Sequence, residues 1–107
     1  LYDEGYIAVL DCYARDAPGL AAKLANLVRP IGDTYQMVCF STEAPMQGTP
    51  LFVAQIKLHI ATRSLREQME RIIAQLNGEG WDIGASFSEI TEAAGSTDKT
   101  RRALPAA

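Results

Sequence analysis

The chain has 107 residues, a length that is enough for one folded domain with one core. Of these residues 48% are hydrophobic and 21% are charged, a composition too apolar for a disordered chain. The formal net charge of −3 gives no general attraction to phosphate backbones or anionic lipid, so we expect no direct contact with nucleic acid and none with a membrane. No apolar stretch approaches the roughly 20 residues of a membrane span and no signal peptide is recognisable, so we expect a cytoplasmic protein.

The first half of the chain predicts a strand, a helix and a second strand. Residues 6–13, YIAVLDCY, are rich in β-branched and aromatic residues, as strands are. An amphipathic helix is expected to begin at Pro18 and to end at Pro30, because proline is favoured in the first helical turn and stops a helix near its end. Residues 34–42, TYQMVCFST, predict the second strand, and residues 43–50 contain two prolines and a glycine, which indicates a loop.

The second half predicts a strand, a helix and a final strand. Residues 51–60, LFVAQIKLHI, alternate apolar and polar side chains with the period of two of a half-buried strand. Ser64 stands three residues before Glu67, the spacing of a capping box, and an apolar helical face continues to Gly78. Residues 81–90, WDIGASFSEI, alternate again and predict a fourth strand.

The element order βαββαβ predicts an α+β fold, a ferredoxin-like sandwich with a four-stranded antiparallel sheet and two helices on one face. Residues 5–90 form the predicted domain, and residues 91–107 lose all periodicity, as in a flexible C-terminal tail or linker. The face of the sheet without helices is expected to be partly apolar and to favour association. Its predicted residues are Ile7, Val9, Val53, Gln55 and Lys57.

The motifs of common enzymes are absent from the sequence. It contains no G-x-x-x-x-G-K-[ST], no G-x-G-x-x-G and no G-x-S-x-G. The one histidine, His59, lies in the polar set of the third predicted strand and is expected on a surface, as is Asp11 in the first. An acylphosphatase is excluded because the loop at Arg15 offers an acidic residue and a proline where phosphate needs amide donors. We therefore expect a protein that is not an enzyme, with no catalytic residue.

Metal, cofactor and RNA sites are not indicated either. Cys12 and Cys39 lie in apolar strand-like runs, where a free thiol acts as a small hydrophobic group. With one histidine and no C-x-x-C spacing, no metal site is expected, and nothing points to a cofactor. RNA-binding domains of similar topology stack bases on aromatic side chains of their strands. Here Phe52 is assigned to the helix-covered face and the domain is acidic, so an RNA site is not expected.

The turn after the first strand carries a resemblance to a known family. Asp16-x-Pro18-Gly19-Leu20 after a strand, a helix closing on Ile31-Gly32 and the βαββαβ order together resemble the ACT domain, a small-molecule-binding regulatory module. The resemblance covers residues 5–90. The stretch TEAPMQGTPLFVAQIKLHI followed by LREQMERIIAQLNGEGWDI is similar to the ACT domains of glycine cleavage system transcriptional repressors.

The resemblance implies a regulatory role and a site for a small amino acid such as glycine or serine. Loop amides and a helix N-terminus suit a carboxylate, and Asp16 can accept an ammonium. The same motif also fits a purely structural helix start, with Asp16 as the cap and Pro18 in the first turn. Asp16 and Asp33 are expected near one small pocket, where their charges would oppose a ligand carboxylate. The implied ligand residues are Asp16, Ala17, Pro18, Gly19, Leu20, Gly32, Asp33 and Thr34.

Three functional hypotheses follow for the implied module. In the first, the module senses an amino acid as a homodimer or beside a sister ACT domain. In the second, it is the regulatory domain of a larger enzyme such as a formyltetrahydrofolate deformylase or phosphoserine phosphatase. In the third, it dimerises without a ligand. Chains of the resembled repressors carry two such domains. The start at Leu1, without an initiator methionine, is expected for one domain of a longer polypeptide.

Overall fold

The computed structural model describes residues 4–43 and 50–90, and the predicted tail 91–107 and most of the predicted loop 43–50 lie outside these ranges. Four strands form one antiparallel sheet in the order β2-β3-β1-β4, which confirms the ferredoxin-like α+β fold. No helix in the described ranges is long and apolar enough to cross a membrane. The elements are β1 (Gly5–Arg15), α1 (Leu20–Val28), β2 (Asp33–Glu43), β3 (Pro50–Ile60), α2 (Arg63–Gly78) and β4 (Asp82–Ile90).

Strand pairing defines two ends of the sheet. Because β1 and β2 both run antiparallel to β3, they run parallel to each other on either side of it. Arg15 pairs with Leu51 at what we term the upper end, where β1 and β2 finish. Asp33 pairs with His59 at the lower end, where β1 and β2 begin.

The core lies between the sheet and the two helices. In β3 the predicted alternation is confirmed, since every second side chain from Phe52 to Ile60 is buried. Both helices add buried side chains to the same core, so they cover the same face of the sheet. The helical contribution consists of Leu24 and Val28 from α1 and Met69 and Leu76 from α2.

The opposite surface of the sheet, which we term the open face, carries no helix. The five side chains predicted there are only partly buried, in agreement with the expectation. Asp11 is exposed on this face and accepts a hydrogen bond from Gln55 at 2.9 Å. The most exposed large apolar side chains of this face are Tyr13 at 41%, Val38 at 47% and Phe40 at 54%. A monomer therefore presents a partly apolar sheet to water.

The helix starts differ from the predicted ones. The first helix begins at Leu20 rather than at Pro18. The second is capped by Thr62, whose Oγ1 accepts a hydrogen bond from the backbone N–H of Leu65 at 3.1 Å. The predicted capping box from Ser64 is wrong, because Thr62 has the extended backbone (φ −135°, ψ 160°) of a capping residue and Ser64 already lies inside α2.

The two candidate caps of α2 predict different mutational costs. Thr62→Ala removes the acceptor for the Leu65 N–H and is expected to lower the free energy of unfolding by about 1 kcal/mol. Ser64→Ala, at an exposed position inside the helix, is expected to be neutral or slightly stabilising, because alanine is the better helix former. Urea denaturation of both variants measures the difference. Equal losses would contradict the assignment of Thr62 as the cap.

Candidate ligand site and association surfaces

The turn after β1 is anchored to the sheet through Asp16. Its backbone N–H donates to the carbonyl of Pro50 at 3.0 Å. Its Oδ2 accepts a hydrogen bond from the hydroxyl of Ser41 at 2.7 Å. Since Ser41 lies on β2 and β3 stands between β1 and β2, this bond crosses β3 and joins the turn to the end of β2. The predicted role of Asp16 as a helix cap is wrong, because its carboxylate is directed at Ser41.

The N-terminus of α1 is capped by backbone geometry. Gly19 has φ 82°, in the left-handed region that favours glycine, and no side-chain hydrogen bond caps this helix within the described residues. The first hydrogen bond of the helix runs from the N–H of Lys23 to the carbonyl of Gly19 at 2.9 Å. The preceding amides, on Leu20, Ala21 and Ala22, have no intrahelical acceptor. They are the donors that a carboxylate could engage.

The second predicted segment, Gly32–Thr34, lies at the lower end of the sheet. It borders a cleft of about 300 Å³ between α1 and the start of β2, also lined by Ala25, Arg29 and Met37. Arg29 brings a cation to the cleft, and Asp33 brings a carboxylate. Arg29 was not predictable from the sequence, because no motif includes it and its position beside the cleft depends on how α1 packs.

Gly32 has a structural role that the motif did not reveal. A Cβ atom at this position would overlap the carbonyl oxygen of His59 and crowd its carbonyl carbon at 3.1 Å. The connection from α1 to β2 therefore lies directly against the backbone at the end of β3. A ligand role for Gly32 stays a prediction, but its lack of a side chain is explained by packing.

The two predicted halves of the site are far apart within one chain. Arg15 pairs with Leu51 of β3, and Asp33 pairs with His59 of the same strand. These two positions of β3 are eight residues apart, and eight strand residues span about 26 Å. The expectation that Asp16 and Asp33 lie near one pocket is therefore wrong for a single chain. The cause is the crossover itself, since the helix must return the chain to the far end of the sheet before a parallel strand can start.

Nucleophilic and metal chemistry find little support in the described residues. Both cysteines are free thiols. Burial, together with the charges of Asp11 and Cys39, raises the pKa of Cys12 to about 12. Burial also raises the pKa of Cys39. Within residues 4–43 and 50–90, no three histidine, cysteine or acidic side chains lie close enough together to hold a metal ion.

Strand β2 is an edge of the sheet and presents a second association surface. It pairs with β3 on one side, and no described strand pairs with its other side. It is 11 residues long and carries the exposed side chains of Tyr35, Val38 and Phe40. A long edge strand with apolar side chains is a template for pairing with another strand.

No protein-family model matches this chain, and no curated protein matches it.

Proposed function

We propose that this domain is a non-enzymatic regulatory module of the ACT type, which binds a small amino acid between two paired βαββαβ units. The supporting observation is the placement of the two predicted site segments. They lie at opposite ends of the sheet, and the 11-residue edge strand β2 runs from one end to the other.

Antiparallel pairing of β2 with the β2 of a second unit brings these halves together. If the two-fold axis passes near Val38, Asp33 of one unit stands beside Glu43 of the other. The lower end of each unit then lies next to the upper end of its neighbour. Because such pairing continues one sheet, the helices of both units stay on the same side. The cleft at Arg29 and Asp33 then approaches the second unit's turn at Asp16.

The composite site has the charges that a small zwitterion needs. The amides at the start of α1 and the Arg29 guanidinium of the second unit suit the carboxylate of the ligand. Asp16, held in place by Ser41, and the second unit's Asp33 suit its ammonium.

Binding is tested by calorimetry with glycine, serine and leucine, and the expected result is binding of glycine or serine at millimolar concentration or tighter. Arg29→Gln is expected to weaken binding at least tenfold, because the carboxylate loses a charged partner. Arg71→Gln is the matched control, since Arg71 is exposed on α2 and outside both halves of the site. No heat with glycine or with serine would contradict the proposed sensing role and leave ligand-free dimerisation.

A mixing experiment tests whether two units build each site. Asp16→Ala and Arg29→Ala are expected to abolish binding separately. When the two variants are unfolded together and refolded, each mixed dimer contains one site with both native side chains. Random pairing then restores about a quarter of the wild-type sites. No recovery would contradict a composite site.

A further inference from the structure

The open face has a raised side and a flat side. Phe40, Val53 and Tyr13 lie in one row across β2, β3 and β1, and Val38 stands next to this row with 47% of its surface exposed. Strand β4 contributes Asp82 and the small residues Gly84, Ser86 and Ser88 to the same face. A Cβ atom at Gly84 would meet no atom within 4 Å. The β2 side of the face is therefore raised at Val38, and the β4 side is shallow at Gly84.

Two opposite charges lie at the middle of this face without an ion-pair partner. Asp11 is on β1 and Lys57 is on β3, and their register makes them diagonal neighbours. The ion pairs of the described residues are Lys23 with Glu79 and Arg66 with Glu70, so neither Asp11 nor Lys57 is engaged in one. Each copy thus offers one cation and one anion near the centre of the face.

We propose that a second copy of this chain stacks on the open face, with a two-fold axis parallel to the strands and midway between β3 and β1. This operation places β2 of each copy over β4 of the other. The register then sets Val38 above the partner copy's Gly84. Lys57 comes within reach of Asp11 in the other copy, and the pairing occurs twice. The interface is closed and self-complementary.

The size of the face is sufficient for such an interface. Four strands at about 4.8 Å spacing and about nine residues at 3.3 Å each cover about 570 Å² per copy. The pair then covers about 1,100 Å² in projection, and a specific interface needs about 1,000 Å² of accessible surface. This stacking uses the open face and leaves the β2 edge and the amino-acid site untouched.

Gly84→Val tests the stacking without harming the single chain. The position has open space and an ordinary φ, and valine favours strands, so the isolated chain is expected to keep its stability. In the stacked pair the valine occupies the place of the other copy's Val38. Sedimentation equilibrium is expected to show at least tenfold weaker association. The control Ala85→Val adds two carbon atoms to the other face of β4 and is expected to associate like the wild type.

Cross-linking with a carbodiimide locates the contact. In a mixture of ¹⁴N- and ¹⁵N-labelled chains, amide bonds between Lys57 and Asp11 are expected to join peptides of different label. Links only within one label, a wild-type chain that stays monomeric at millimolar concentration, or Gly84→Val associating like the wild type would each overturn the proposal. Amino-acid binding is expected to survive in Gly84→Val, so a failure of the ligand screen and a failure of the stacking are separate results.

Discussion

Gly32→Ala is expected to lower the free energy of unfolding by about 3 kcal/mol, although it adds a single carbon atom. That atom would overlap the carbonyl oxygen of His59, which belongs to the backbone of β3. A side chain could rotate away, but β3 is paired on both sides, with β1 and β2. The connection before β2 must therefore move, and the packing of Ile31 on the core must change with it.

Urea denaturation measures this loss, and Gly78→Ala provides the control. Gly78 lies in the last turn of α2, and a Cβ atom there would meet nothing within 4 Å. Alanine at that position is expected to stabilise the domain by up to about 1 kcal/mol, since glycine is the poorer helix former. A loss below about 0.5 kcal/mol in Gly32→Ala, within the range of neutral surface substitutions, would contradict the close packing against β3. Ligand tests are better made at Arg29, because a Gly32 variant changes the fold as well.

Ile56→Ala is expected to cost about 4 kcal/mol, a large part of the 5–15 kcal/mol that holds a domain of this size. Ile56 is fully buried in β3, with Leu10 of β1 and Met37 of β2 as its register partners. Removing three carbons leaves a cavity that two paired strands cannot close. Ile56→Val removes one carbon and is expected to cost about 1 kcal/mol.

Chemical denaturation of the Ile56 series, with Lys57→Ala as the control, tests the assignment of the core. Lys57 is the next residue of the same strand, faces away from the helices and is only partly buried. Its replacement is expected to change the free energy of unfolding by less than about 0.5 kcal/mol. If Ile56→Ala and Lys57→Ala cost the same, the assignment of the two faces of β3 would be wrong.

The strands were predictable because their signal is local. Alternation over residues 51–60 predicted which side chains of β3 are buried, and the structure confirms the two faces. Helix starts were less predictable, since a cap depends on one residue's backbone angles. Both Thr62 and Ser64 have the right hydroxyl, and only the extended backbone of Thr62 decides between them. The helix α1 was predicted to begin at Pro18, but it begins at Leu20, directly after the left-handed Gly19.

The candidate site was predictable in its parts and not in its arrangement. The turn at Asp16 and the segment at Gly32 were both singled out from the motif. Their separation follows from strand order and direction, which no short motif contains. Arg29 was not predictable from the sequence either, because its place beside Asp33 depends on how α1 lies against β2.

The sequence by itself determined the order of elements, the buried face of β3 and the partly apolar character of the open face, because periodicity and turn residues act over a few neighbours. Only the tertiary structure decided which ends of the strands meet, why Gly32 can carry no side chain, and that Asp16 binds Ser41. These features join residues that are 25 or more positions apart. Such contacts depend on how the strands are ordered and packed, which local patterns do not specify.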